Sequence, residues 1–145
     1  MKIIPFTIEI DTGAGIALHD VTTEIRDFVS QSGIADGFVT VTSQHTTTAL
    51  SINENEERLV IDVKNFLHRL IPPDDRYLHN DIEMRDCPDD EPENAHSHLA
   101  AMLLGSSEVI PVQKGNLVLG QWQSVMLYEL DGPRKRKVAV QVYGE

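Results

Sequence analysis

Hydrophobic positions along this chain switch between two periods, and the switches divide it into strands and helices. Ile4, Phe6, Ile8 and Ile10 alternate with polar neighbours, the two-residue period of a half-buried strand. Residues 12–15, TGAG, read as a turn. From Asp20 the spacing lengthens. Val21, Ile25, Phe28 and Val29 fall on one helical face, with Asp20 or Thr22 as N-terminal cap and Gly33 as the stop. Phe38, Val39 and Val41 open a second strand. Thr46, Thr48, Leu50 and Ile52 suggest a third extended segment, favoured by β-branched threonines. Asn53 and Glu56 have capping-box spacing. Leu59, Val60, Val63, Phe66, Leu67 and Leu70 then form one face of a longer helix, ended by Pro72 and Pro73.

Residues 74–92 carry no period and include Pro88; Pro92 closes the segment. A loop this long in a compact domain is often functional. A short helix is predicted from Glu93 or Asn94 through Leu99, Met102 and Leu103, with Gly105 as its stop. Residues 109–113, 117–120, 122–130 and 137–143 read as strands, with turns at 114–116 and 131–133. Trp122 is expected to pack in the core or at an interface. About seven strands and three helices predict one α+β domain over residues 1–145, around a largely antiparallel sheet or sandwich.

Composition narrows the function classes. A chain of 145 residues is long enough for one domain with a sizeable core. Its first residues lack a signal peptide's apolar run, and no stretch approaches the ~20 apolar residues of a membrane span. Cys87 is the only cysteine, so no internal disulfide forms and a reducing cytoplasm is the simplest setting. The net charge of −11 repels phosphate backbones and argues against nucleic acid as a partner. Nine of the acids lie between Asp74 and Glu93, against Arg76 and Arg85 alone. They form either a solvated acidic loop or carboxylates that support a metal site.

The candidate chemistry rests on histidine. His19 sits beside a turn and His68 on the polar side of its helix, positions typical of structural or surface histidines. His45, in SQHTTTAL, stands at a junction between extended segments among hydroxyls. His79, in RYLHND, adjoins Asn80 and Asp81 and follows Asp74 and Asp75. His96 and His98, in NAHSHL, fall at a predicted helix start. Residues two apart on a helix point about 200° apart, so both do not easily join one site. His98 shares its direction with Asn94 and Met102.

Catalytic zinc commonly takes three protein ligands and an open position. Here the fold would have to assemble them, since the chain has no HExxH motif and no CxxC pair. Phosphate-loop and dinucleotide fingerprints are also missing. Asp86 beside Cys87 works against a thiolate nucleophile. The basic run Arg134, Lys135, Arg136 and Lys137 is either a solvated turn or a clamp for a phosphate-bearing ligand, because Arg offers bidentate hydrogen bonds.

SQHTTTALSINENE, RYLHND, NAHSHLAAMLLGSS and SEVIPVQKGNLVLGQWQSV, in this order, resemble the YjbQ-like family, also labelled secondary thiamine-phosphate synthase. The resemblance covers nearly the whole chain. Its signature falls on Ser107, Ile110, Val112, Gly115, Gly120, Trp122, Gln123 and Val125, with Gln121 where the family usually has Thr. It implies an α/β sandwich with an antiparallel sheet, assembled as a homotrimer. It further implies that His45, His79 and His98 are the recurrent histidines near a divalent metal, zinc by ligand type, and that His96 stands outside that set. Asn53, Glu54, Asp62 and Gln123 match other favoured positions and are candidates for orienting the metal-bound rings. Asp81 joins them as His79's neighbour.

The label implies joining a pyrimidine pyrophosphate to a thiazole phosphate, with Lys114, Arg134 and Arg136 as candidate contacts to phosphate oxygens. Dedicated enzymes for that step are TIM barrels of ~250 residues, so the expectation here is a weak activity beside another metal-assisted reaction on a small phosphorylated substrate. His45 is the first candidate for proton transfer. The alternative is a non-catalytic trimer that binds a metal or small anion.

Overall fold

The computed structural model describes residues 1–145. Its elements run β1 (Lys2–Asp11), β2 (Gly15–Asp20), α1 (Thr22–Ser32), β3 (Gly37–Ser43), β4 (Thr48–Asn53), α2 (Glu57–Leu70), α3 (Ala95–Leu104), β5 (Ser107–Gln113), β6 (Asn116–Leu117), β7 (Ser124–Gly132) and β8 (Lys135–Gly144). Short 3-10 turns at Leu78–Asn80 and Ile82–Met84 punctuate the strap between α2 and α3. One sheet has the order β1-β8-β3-β5-β6 and the other β2-β7-β4. Every strand pairing is antiparallel. The single-domain α+β reading therefore holds. No helix is long and apolar enough to cross a membrane.

Two apolar clusters define the layers. Val39, Val41, Val138, Val140 and Ile110 from the larger sheet pack against Leu50, Val125 and Leu127 from the smaller, with Val21 at the N-cap of α1 and Ile25 and Val29 within it. The spacing of four between those α1 residues places them on the buried stripe that the sequence marks. The smaller sheet's other face, Ala49, Met126, Tyr128 and Leu130, packs under Leu67 of α2 and Ala100 and Ala101 of α3. Burying each Leu, Ile or Val in such a layer stabilises the fold by about 1.5–3 kcal/mol.

Strand β7 is thus covered on both faces, and residues 125–130 are all buried. A strand sandwiched this way loses its polar alternation. One member of the run, Glu129, is charged and fully buried. It lies on the same side as Val125 and Leu127, facing β8 of the other sheet.

Several local expectations shift. β2 was not anticipated; its residues pair with β7, where the sequence suggested only a turn and a helix start. Asp20 does help open α1, its Oδ1 accepting from the Thr22 backbone N–H at 2.9 Å. Asn53 is no helix cap, because it is still paired in β4 opposite Ser124. Glu56 caps α2 instead, accepting from the backbone of Arg58 and Leu59. Of the expected strand at 117–120 only Leu117 forms, paired in the short β6 with Asn116. Trp122 is 68% exposed rather than buried in this chain's core.

Candidate functional site

Strand pairing brings the β3–β4 turn beside α3. Leu50 N–H donates to Gly105 O at the end of α3, and Ser43 N–H donates to Ser106 O. The Ser43 and Thr48 hydroxyls bond across the base of the turn. Between these segments lies an open cleft of about 560 Å³, lined by Ser43, His45, Thr46, Thr48, His98 and Ser106 among others. The lining contains no Asp or Glu, although the chain has 23.

His98 projects into this cleft from α3. The His79 ring, carried by the first 3-10 turn of the strap, meets it edge to face with centroids 4.8 Å apart. Arg85 donates to the His79 carbonyl at 3.0 Å within the strap, and the Ala95 N–H at the start of α3 donates to Asn80 Oδ1 at 3.1 Å. Burial lowers the His98 pKa and charge repulsion from the neighbouring His79 lowers it further, while Asp131 and a hydrogen bond with the Thr46 backbone oppose them. His96, two residues away, turns to the other side. It borders a small void with His68, Leu67 and Ile71, and its Nδ1 is buried without a partner.

His45 stands in the turn itself. Its Nδ1 lies 3.1 Å from the Thr47 backbone nitrogen and 3.0 Å from Thr47 Oγ1. Partial burial lowers its pKa, as do the nearby charges of Arg136 and Arg134. Behind Thr47 is a buried ion pair. Arg136 donates through Nε and Nη2 to the two Glu129 carboxylate oxygens, both at 2.7 Å. Nη2 also donates to Thr47 Oγ1 at 2.9 Å. Thr12 Oγ1 donates to Glu129 at 2.6 Å, and the Asp131 backbone donates at 2.9 Å. The hairpin closes tightly over this group: a Cβ on Gly132 would stand 2.7 Å from the Glu129 side chain, a contact only glycine avoids.

The fold therefore gathers His45, His79 and His98 at one end of the molecule, with Arg134 and Arg136 behind His45. Arg136 is committed to Glu129 rather than solvated. Arg134 is held by Asp131, with Nη2 3.0 Å from its carboxylate. Asp81 bonds Arg76 at 2.7 Å. The remaining candidates lie elsewhere. Asn53 ends β4, five residues beyond Thr48, a strand length of roughly 17 Å. Glu54 and Gln123 are exposed near that same far end, and Asp62 is exposed on α2. Lys114 follows β5, whose start borders the cleft, by a further strand length of roughly 20 Å. Glu129, Thr47 and Thr12 were not anticipated.

One chain brings two imidazoles of the implied zinc sphere together, but no group of three His, Cys, Asp or Glu side chains is close enough to hold a metal ion. With His45 Nδ1 occupied by Thr47, a three-histidine sphere does not fit the residues as they stand.

Comparison with known proteins places the chain. A family model described as UPF0047 protein YjbQ-like matches residues 6–145. A UPF0047 protein of Methanothermobacter thermautotrophicus is 39% identical over 145 residues, covering 100% of this chain and 95% of that protein. The UPF0047 protein YugU of Bacillus subtilis is 30% identical over 140 residues, covering 95% of this chain and 98% of its own. Among solved structures, a protein of unknown function from Sulfolobus solfataricus superposes with a TM-score of 0.89 at 34% identity, covering 99% of each chain. A hypothetical protein from Aeropyrum pernix gives 0.86 at 36% identity, covering 100% of each. The chain belongs to the YjbQ-like UPF0047 family.

Proposed function

We propose that this chain is an enzyme acting on a small phosphorylated molecule, held in the cleft between His45 and His98. The observation that carries the reading is a cleft lined by two histidines and several hydroxyls, without a carboxylate, on a chain of net charge −11. Such a lining offers hydrogen-bond donors to phosphate oxygens and leaves no negative charge to repel them. The C-terminal end of α3 opposes an anion by about 0.3–1 kcal/mol. A single hydrogen bond to a charged oxygen contributes about 1.5–3 kcal/mol and outweighs it. Burial and neighbouring charge lower the pKa values of both rings, which favours neutral imidazole, and a neutral ring in the cleft is suited to proton transfer or to hydrogen-bond donation. Formation of thiamine phosphate is one reaction to assay, as a side activity beside phosphate-ester hydrolysis.

The edge-to-face pair favours a second reading, in which a divalent ion, zinc by ligand type, sits on His79 and His98 with further ligands from outside the three-histidine set. Metal content of protein purified without added metal separates the two. The phosphate reading is checked by 31P NMR with inorganic phosphate and by turnover of a panel of small phosphomonoesters and pyrophosphate esters. Millimolar or tighter binding and turnover are expected. Binding without any turnover would make the chain a non-catalytic anion-binding protein; no binding by phosphate or any ester would overturn the reading.

The chain is also proposed to act as a homotrimer in a reducing, cytoplasmic setting. α2 buries only Leu67 fully and leaves Ile61, Phe66 and Leu70 exposed. Leu78, Met84, Met102 and Leu103 add exposed apolar area on the strap and α3, more than an isolated surface usually keeps. Sedimentation at micromolar concentration is expected to give three times the 16.2 kDa chain mass. A monomer there refutes the assembly.

A further inference from the structure

The hydrogen bonds around His45 determine which of its ring nitrogens carries the proton. Its Nδ1 meets the Thr47 backbone N–H at 3.1 Å. An amide N–H cannot accept, so Nδ1 has to be the acceptor. The Thr47 hydroxyl, 3.0 Å from the same nitrogen, agrees. Arg136 Nη2 reaches Thr47 Oγ1 at 2.9 Å, and a guanidinium only donates. The hydroxyl oxygen therefore accepts from Arg136, and its own hydrogen is free to point at Nδ1. Arg136 is in turn clamped by both oxygens of Glu129. The chain of partners runs from a buried carboxylate through a guanidinium and a hydroxyl to one ring nitrogen.

We infer that His45 is a fixed neutral hydrogen-bond donor that presents Nε2–H to an anionic oxygen of the ligand, with Thr47 and Arg136 as positioning residues. The identity of that oxygen, a phosphate oxygen, rests on the reading in the preceding subsection; the tautomer does not. Three consequences follow from the geometry. Binding a metal through Nε2 would require a proton on Nδ1, facing the Thr47 N–H, so His45 is not a metal ligand. Forming the imidazolium meets the same opposition, so His45 is not the base. Proton transfer then falls to His98, which lines the same cleft. A neutral donor of this kind serves an oxygen that gains charge during reaction, because it stabilises the charge without surrendering its proton.

The test is nitrogen NMR of the full chain labelled at histidine, at pH 7. His45 is expected to show one neutral tautomer, with a pyrrole-type Nε2 and a pyridine-type Nδ1. Adding inorganic phosphate is expected to move the His45 Nε2 signal. Thr47→Val keeps the backbone N–H and loses the hydroxyl, and is expected to weaken phosphate binding about 3–10-fold, while Thr47→Ser restores it. A proton on Nδ1, a doubly protonated ring at pH 7, or loss of the Nε2 proton on adding zinc overturns the donor assignment. Phosphate that moves no cleft histidine signal overturns the choice of ligand, and the tautomer then decides the donor role alone. The backbone N–H holds the tautomer in both variants, so a merely structural Thr47 would leave the response of the His45 Nε2 signal to phosphate as large in Thr47→Val as in the parent.

Discussion

Replacing Glu129 by Ala is expected to destabilise the fold by about 3–5 kcal/mol, because it strands a buried guanidinium. The two partners are 3% and 0% exposed at their side chains, so solvent does not screen the loss. For a domain of this size that corresponds to a fall in Tm of roughly 10–15 °C, measurable by calorimetry. The double change Glu129→Leu with Arg136→Met is expected to recover much of it, since apolar residues of similar volume often replace a buried pair without cost. Recovery of stability without recovery of phosphate binding would separate the pair's packing role from its hold on Thr47. A single Glu129→Ala variant as stable as the parent rejects the arrangement.

The same carboxylate carries a pH dependence. Burial alone would raise the Glu129 pKa, but the hydrogen bonds from Arg136, Thr12 and the Asp131 backbone overcome it and hold the value below the ordinary one. A depressed folded-state pKa means that the unfolded chain binds a proton first as pH falls. The contribution is therefore fully present above the ordinary glutamate pKa of ~4.3 and is lost as pH drops through the lower folded value.

Much of the fold was legible because most elements bury one face. α1 shows its buried stripe as Ile25 and Val29, continued by Val21 at its N-cap, and α3 ends where Gly105 adopts a positive φ of 92°. β7 was legible as a strand for a different reason: its apolar run from Val125 to Tyr128 fits burial on both faces. That same run concealed Glu129, whose partner Arg136 comes from the next strand and looked like part of a solvated basic turn. β2 was hidden because GIALHD is short and half-buried along most of its length, with neither period developed. At the site, the residue types were readable and the couplings were not. Nothing in SQHTTTAL tells which threonine turns back on His45. That depends on the tightness of the β3–β4 turn and on an arginine 89 positions away. The opposite signal, phase on a helix, needs only local geometry, and it separated His96 from His98 correctly.

That separation yields the sharpest contrast in ligand binding. His98→Ala is expected to weaken inorganic phosphate binding by about 10–100-fold, the loss of one hydrogen bond to a charged oxygen. It should also remove the proton-transfer group, lowering turnover of any phosphorylated substrate by about 10²–10⁴-fold. His98 is only half-buried, so the fold should survive the change. His96→Ala is expected to leave both quantities within about 2-fold, because surface or non-site changes seldom alter a site they do not touch. His96 faces α2 across the void it shares with His68, Leu67 and Ile71. Its unpartnered Nδ1 already costs stability, so His96→Phe or Leu is the variant for asking whether an apolar ring fits there better. The pair also judges the metal reading. If a divalent ion is bound, His98→Ala and His79→Ala should each release it while His96→Ala and His45→Ala retain it. Loss of metal on changing His45 would reject its donor tautomer. Loss on changing His96 would mean that α3 presents its other face to the ligand, and the cleft would no longer be the site.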